Sequence, residues 1–418
     1  MRVVGIIAEY NPFHKGHQYH IARAKEVTGA DYCIVVLSGN FVQRGEPAIY
    51  EKFLRTEAAL RCGADLVLEL PSPFASGSAE DFASGASALL SALGTVDYLC
   101  FGSEQGDETR LMNIARMLVQ EPEGFRPLLL AGLKNGLTWP QARISALTRL
   151  GCLTQEEAKL LSQPNHILGI EYCKALLRQN SSIRPVTVLR RGKGYHDQEI
   201  DSFPQGEMAS ATGLRARMKC PPECVSSLSH PLEGQVPPEA LPLYQSQQPV
   251  FPEDFSAVLN YALLSCLQDE RSFSCYEGIT ADLAQRMERV LLDWTDWEGR
   301  IRQLKTRQMT YTRISRCLCH LLLKITAADM EAYRDGGYAF YGRILGFKRQ
   351  AAPLLKAVQK NSSIPLITRT AGCERLLSGP ALSILRTDFY ASHLWHSVYC
   401  SKYGASMKNE FNRGMVIL

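Results

Sequence analysis

Two histidines, His14 and His17, stand three residues apart in the segment Gly5-Ile6-Ile7-Ala8-Glu9-Tyr10-Asn11-Pro12-Phe13-His14-Lys15-Gly16-His17-Gln18-Tyr19-His20. That spacing at the start of a helix aims two imidazoles at one spot. A helix start also offers backbone N–H groups and the positive end of the helix dipole, and Gly16 has no side chain to obstruct a ligand. The combination suits a phosphate, the α-phosphate of a nucleotide in particular. Charge that develops on phosphorus during nucleotidyl transfer needs preorganised donors, and paired imidazoles supply them without a covalent intermediate. Structural histidines are the plain alternative. A metal site is another, but no cysteine or carboxylate in the segment completes a familiar zinc pattern, so no metal ligand is assigned.

The elements that must hold this segment are legible around it. Short apolar, β-branched runs alternate with helical patterns over the first hundred residues, the sign of βαβ units around a parallel sheet buried on both faces. Strands are expected at 3–8, 32–37, 65–70 and 96–101, and helices at 17–27, 52–62 and 81–93, with Gly63 and Gly94 where helices should stop. A further strand is expected at 186–189. The histidine segment then leaves the carboxyl end of the first strand, where open α/β sheets bind ligands. Prolines recur between Cys220 and Pro252, and beyond them the pattern is mostly helical. The expected organisation is an α/β catalytic domain over 1–220, a Pro-rich connection over 221–252 and a mainly helical domain over 253–418.

Composition sets the outer bounds. Over 418 residues, 45% hydrophobic and 21% charged residues describe globular domains rather than a disordered or fibrous chain. Lysine plus arginine (46) exceed aspartate plus glutamate (42) by only 4, too little to indicate nucleic-acid binding alone. No apolar run reaches the roughly 18 residues of a membrane span, and Met1–Ala8 is too short for a signal peptide. A cytoplasmic protein with no membrane partner is expected, with its 13 cysteines reduced.

His-x-Gly-His directly after a first strand resembles the signature of the nucleotidylyltransferase superfamily. Further blocks narrow the likeness: Glu9 to His17, Ser38 to Ala48, Gly63 to Pro71, Phe101 to Glu104, Pro164 to Tyr172, Arg190 to Asp197 and Ser210 to Arg215. Together they resemble the bacterial tRNA(Met) cytidine acetate ligase family, and the likeness continues through 305–323 and 341–347. Lys15 and His166 depart from the asparagine common at those places. The resemblance implies a doubly wound, Rossmann-like ATP-binding domain followed by a mainly helical one. It implies an enzyme that activates acetate with ATP, releases pyrophosphate, and transfers acetyl to the wobble cytidine of elongator tRNA(Met), forming N4-acetylcytidine. It implies Mg2+ accompanying ATP and no use of acetyl-CoA.

On that resemblance His14 and His17 are the catalytic pair. ATP contacts are expected from Ile7, Ala8, Glu9, Tyr10, Asn11, Pro12, Phe13, His14, Lys15, Gly16, His17, Gln18, Tyr19 and His20, and from Gly102, Asn165, Arg190 and Arg191. Taken alone, Gly102 reads as a turn glycine, Asn165 as a helix cap, and Arg190 and Arg191 as surface arginines. Ser210, Thr212 and Arg215 open a short helix and are expected at the β- and γ-phosphates, against a plain serine cap. Asn40 and Phe41 are not assigned to the site. From Arg300 to Ala328 there are five arginines, two lysines and no acid. Arg302, Lys305, Arg313 and Arg316 are expected to track a tRNA backbone, with Ile314, Leu318, Leu321 and Leu322 as the buried stripe, the alternative being a solvated basic face.

Two other functions fit parts of the chain. A small-molecule nucleotidylyltransferase of cofactor biosynthesis would share the α/β motifs but leave the basic helical half without a use. A non-catalytic, nucleotide-regulated RNA-binding protein would leave the paired histidines without one.

Overall fold

The computed structural model describes residues 1–104, 106–161, 164–189, 209–219 and 230–418. Its first half follows the apolar periodicity closely: β1 (Val3–Ala8), α1 (Lys15–Thr28), β2 (Tyr32–Ser38), β3 (Phe41–Val42), β4 (Glu46–Pro47), α2 (Lys52–Arg61), β5 (Leu66–Leu70), β6 (Tyr98–Ser103) and β7 (Arg184–Leu189). Three strands come from the second half: β8 (Gly342–Phe347), β9 (Leu366–Ile367) and β10 (Val416–Ile417). The main sheet runs β10-β8-β5-β2-β1-β6-β7, with β9 also on β8. The five strands from β5 to β7 in that order are parallel, and β8 lies antiparallel to β5.

Successive side chains alternate faces, and both faces are dry. Val4, Ile6, Val35 and Leu37 pack into one core, while Val3, Ile34, Val36 and Leu68 pack into the other. Each such burial stabilises the fold by about 1.5–3 kcal/mol. The helix Ala79–Ala92 runs on to Gly94, which takes a left-handed φ of 64°. Gly63 after α2 has φ 118°. Both glycines stop helices where expected.

After β1 the chain builds outward through β2 to β5, then returns to place β6 on the other side of β1. That reversal makes the carboxyl ends of β1 and β6 a topological switch point, with a crevice between diverging loops.

Two features depart from the sequence reading. The β3–β4 hairpin was not anticipated, since two-residue strands carry no period. The reading of 253–418 as mainly helical also missed β8 to β10, which cross the boundary expected near residue 252. Two of them are two residues long, and β8 contains two glycines and a buried arginine, so neither length nor alternation signals a strand. The helices Trp297–Leu304, Tyr311–Leu322 and Gly379–Tyr403 bury Trp297, Ile314, Leu318 and Trp395 in the same cluster as Val3 and Leu68. Leu321 and Leu322 complete the stripe expected on the second of these. Among the described residues no helix is long and apolar enough to cross a membrane, and the cysteines are free thiols.

Candidate functional site

The loop between β1 and α1 is held from several directions. Tyr10 takes φ 48° and the Asn11–Pro12 peptide is cis. Asn11 Oδ1 accepts the Ile49 N–H at 2.8 Å, and the Asn11 carbonyl accepts from Arg215 Nη1 at 2.7 Å. The Phe13 N–H donates to the Tyr244 hydroxyl at 2.9 Å. Arg55, fully buried on α2, donates to the carbonyls of Glu9 (2.6 Å), Ser38 (3.0 Å), Tyr50 (2.9 Å) and Gly39. One guanidinium therefore ties the ends of β1 and β2 together. Burial lowers its pKa to about 10, opposed by Tyr244 and the carboxylates of Glu9, Glu69 and Glu51.

His14 is the N-cap of α1, and its own ring does the capping: Nδ1 accepts the Gly16 N–H at 3.0 Å. The His14 N–H in turn donates to His17 Nδ1 at 3.2 Å. A neutral imidazole whose Nδ1 accepts a hydrogen bond carries its proton on Nε2, so both rings are set as Nε2–H tautomers. They stack with centroids 3.8 Å apart at 29°, and Tyr10 and Phe13 flank His17 at 4.8 and 5.6 Å. His14 is buried and His17 half-buried.

One expectation about this helix start is corrected. Its amides are not bare: Lys15 N–H donates to the Gln235 carbonyl at 3.0 Å, Gly16 to the His14 ring, and His17 and Gln18 to the His14 carbonyl at 2.9 and 3.2 Å. Backbone donors for an anion are already engaged, because the cap is a ring nitrogen and a distant segment closes over Lys15. The two ring protons at this end of α1 are set on Nε2 by the same hydrogen bonds.

The other expected residues distribute unevenly. Ile7 and Ala8 end β1, half-buried, and Gln18, Tyr19 and His20 follow on the first turns of α1. His20 Nε2 lies 3.6 Å from Cys100 Sγ on β6, so that ring faces the sheet. Lys15 is exposed, its Nζ 2.5 Å from the Gly234 carbonyl. Gly102 pairs with Val188 at the carboxyl end of β6. Asn165 is the second residue of the helix Pro164–Arg178. The next residue, His166, is buried with Nε2 3.1 Å from Ser103 Oγ and 3.3 Å from Glu104 Oε2, drawing that helix start to the end of β6. Ser210 Oγ accepts the Gly213 N–H at 3.1 Å, as a serine cap does, and Arg215 Nη2 reaches Thr212 Oγ1 at 3.3 Å while Nη1 holds the histidine loop. Arg190 and Arg191 lie outside the described residues, as do Cys220 and Cys224. Asn40 and Phe41 are structural: Asn40 Oδ1 accepts the Lys52 N–H at 2.8 Å, and Phe41 packs edge-on against Phe255.

The basic run divides. Arg300 is buried, donating to the carbonyls of Val290 and Leu291, so it belongs to the core. Arg302 and Lys305 are exposed, and Arg302 pairs with Glu298 one turn earlier. Arg313 and Arg316 are half-buried on the helix Tyr311–Leu322, whose Ser315 Oγ donates to the Gly45 carbonyl at 2.9 Å. That contact seats the helix on the β3–β4 hairpin beside the histidine loop.

Sequence reasoning missed Arg55, Tyr244, Gln235 and the hairpin. Nothing in the type of Lys52 or Arg55 signals burial, and the Pro-rich stretch reads as a connection, yet its 230–252 part buttresses the histidines. Among the described residues no group of three His, Cys, Asp or Glu side chains is arranged to hold a metal ion.

Comparison with known proteins finds relatives along the whole chain. A family model described as HIGH Nucleotidyl Transferase matches residues 1–410. The tRNA(Met) cytidine acetate ligase of Acetivibrio thermocellus is 37% identical over 430 residues, covering 100% of both chains. Its counterpart from Caldanaerobacter subterraneus subsp. tengcongensis is 39% identical over 408 residues, covering 96% of each. Among solved structures, Thermotoga maritima TmcAL bound with alpha-thio ATP matches with a TM-score of 0.89, and the apo form with 0.91, each at 30% identity over 100% of both chains.

Proposed function

This chain belongs to the tRNA(Met) cytidine acetate ligase family, and we propose that it joins acetate to ATP and passes the acetyl group to the wobble cytidine of elongator tRNA(Met), forming N4-acetylcytidine. In the first step a carboxylate oxygen of acetate attacks the α-phosphorus in line and pyrophosphate leaves. The Nε2–H groups of His14 and His17 donate to the α-phosphate oxygens as charge builds there. ATP lies along Ile7 to His20, with Gly102 and Asn165 at its nucleoside and Arg190 and Arg191 at its phosphates. Ser210, Thr212 and Arg215 hold the β- and γ-phosphates. Mg2+ arrives with ATP as part of the substrate, and acetyl-CoA has no role.

In the second step the cytosine amine attacks the mixed anhydride and AMP leaves. Arg302, Lys305, Arg313 and Arg316 contact the tRNA backbone, so that residues 253–418 present the anticodon to the catalytic half, 1–220, in the cytoplasm. The observation that carries the reading is the pair of stacked imidazoles whose Nδ1 atoms are both occupied by backbone N–H groups. The basic helix seated beside the same loop favours a tRNA substrate over a small cofactor precursor.

Exchange of labelled pyrophosphate into ATP tests this. Exchange stimulated by acetate is expected. Exchange that needs a phosphorylated cofactor precursor, or none with any acid, would overturn the reading.

A further inference from the structure

Acyl transfer to cytosine has a difficulty that the histidines do not address. The exocyclic amine shares its lone pair with the ring, so it is a poor nucleophile until its proton begins to leave, and a base must stand within hydrogen-bond reach. We propose that Glu46 accepts the hydrogen bond, and then the proton, of the exocyclic amine that attacks the acetyl group. This rests on the acetyl-transfer reading above.

The placement of Glu46 comes from the β3–β4 hairpin, where it pairs with Val42. The hairpin is pinned on two sides. On one, the Gln43 N–H donates to Glu9 Oε1 at 2.9 Å, and Arg55 holds the Glu9 carbonyl at 2.6 Å, which ties the turn to the histidine loop. On the other, Gly45 has φ 74° and lies so close to the helix Tyr311–Leu322 that an added Cβ would come within 2.3 Å of the Arg316 nitrogen. Only glycine fits there. Glu46, the next residue, is therefore held half-buried between the loop read as the ATP site and the helix read as the tRNA contact. A group that must reach both the adenylate and the incoming base has to stand in that gap.

The chemistry of its surroundings suits a base. Within electrostatic reach of Glu46 are Glu9 from the histidine loop, Arg44 from the hairpin, Arg215 and Lys219 from the helix Ala211–Lys219, and Tyr311 and Cys319 from the helix Tyr311–Leu322. Burial raises its pKa, Glu9 adds to the rise, and Arg215, Arg44 and Lys219 reduce it without cancelling it. A carboxylate raised toward the working pH takes a proton more readily than an exposed one. Among the described residues no hydrogen bond fixes the Glu46 carboxyl, whereas Glu9 is committed to Gln43.

In the step, a bond forms between the amine nitrogen and the acetyl carbonyl carbon. The bond from that carbon to the phosphate oxygen breaks, AMP departs with the electron pair, and the amine proton passes to Glu46. A carboxylate here also selects among bases. It accepts from the N–H of a cytosine amine but meets the O4 lone pairs of uracil with repulsion.

Glu46→Gln in the full-length enzyme tests the assignment. Acetate-dependent pyrophosphate exchange should stay within about threefold of wild type while single-turnover acetyl transfer to tRNA falls about 10²–10⁴-fold. The wild-type transfer rate should rise with pH through a limb that the Gln variant lacks. Glu46→Asp, which keeps the charge, should retain that limb at a reduced rate, and unchanged melting temperatures would show that both variants fold. Exchange lost in parallel with transfer would place Glu46 in the nucleotide site and overturn the proposal. So would unchanged transfer, or slowed transfer with the wild-type pH profile. Absence of acetate-dependent exchange in the wild type would instead remove the ligase reading on which this role rests.

Discussion

Two polar clusters lie near each other behind the sheet's carboxyl edge, and they are built on opposite principles. In the first, Lys52 Nζ is 2.6 Å from both Glu69 Oε1 and Glu410 Oε1, and Arg343 lies 2.9 Å from Glu69 Oε2 and 2.5 Å from Glu410 Oε2. All four residues are at most 2% exposed, and two positive charges face two negative ones in a closed ring. Some contacts are ion pairs by distance without hydrogen-bond alignment, Lys52 to Glu410 among them. In the second cluster, backbone N–H groups occupy Nδ1 of each imidazole and so place the ring proton on Nε2. The ring of charges is complete in itself and staples β8 and the segment around Glu410 to α2 and β5. The histidines, by contrast, are oriented by backbone N–H groups at their Nδ1 atoms, which set the tautomer of each ring. Burial and charge alone do not mark a catalytic site; here the mark is a pair of rings whose tautomer the backbone fixes at a strand end and helix start.

The sharpest way to separate the clusters is to remove one member of each. Arg343→Met strands two buried carboxylates on Lys52 alone and should cost about 3–5 kcal/mol in denaturant unfolding, while exchange per folded molecule persists. A cost under about 1 kcal/mol would show that the ring is not structural. The same ring sets an acid limit. Burial would raise the Glu410 carboxyl, but Lys52 and Arg343 outweigh it and hold the group well below the usual carboxylate range. The unfolded chain binds that proton more tightly, so this contribution is whole above about pH 4.3 and is lost as pH falls further, which acid unfolding curves would register.

In the other cluster, His14→Ala and His17→Ala should each lower pyrophosphate exchange about 10²–10³-fold with little change in melting temperature. Loss of stability with near-normal exchange would make the histidines as structural as the ring. Arg55→Lys lies between the two, since a lysine cannot hold four carbonyls in a fork. Exchange should fall by up to ~10²-fold as the loop shifts, and a purely thermal defect would assign Arg55 to stability only. The smallest effect is expected from Arg313→Glu with Arg316→Glu. Exchange should be untouched, tRNA affinity should drop, and the salt dependence of binding should flatten by about 0.9 per lost phosphate contact. Unchanged binding and slope would remove the tRNA role of this helix.

How much of this the sequence shows follows from how its signals arise. β1, β2, β5 and β6 were found within a residue or two because apolar, β-branched runs of five to seven residues have few other uses. Placing His14 and His17 at a strand end and helix start needed only that periodicity. The hairpin, β9 and β10 are too short for any period, and β8, on which β9 and β10 pair, joins the sheet through β5, hundreds of residues earlier. Lys52 and Arg55 sit on α2 with the spacing of exposed residues, and only the carboxylates and carbonyls that fold over them make burial tolerable. Likewise, a Pro-rich stretch gives no hint that Gln235 and Tyr244 will reach back to Lys15 and Phe13.

The account turns on the orientation of the two rings, and a crystal structure with a non-hydrolysable acetyl-adenylate mimic, its phosphate replaced by a sulfamoyl group, examines that directly. Nε2 of both His14 and His17 should lie within about 3.2 Å of the sulfamoyl oxygens, with both Nδ1 atoms still bound to Gly16 and His14 N–H. A sulfamoyl group bound away from the rings, or held by the backbone amides of α1 with the imidazoles turned aside, would contradict it.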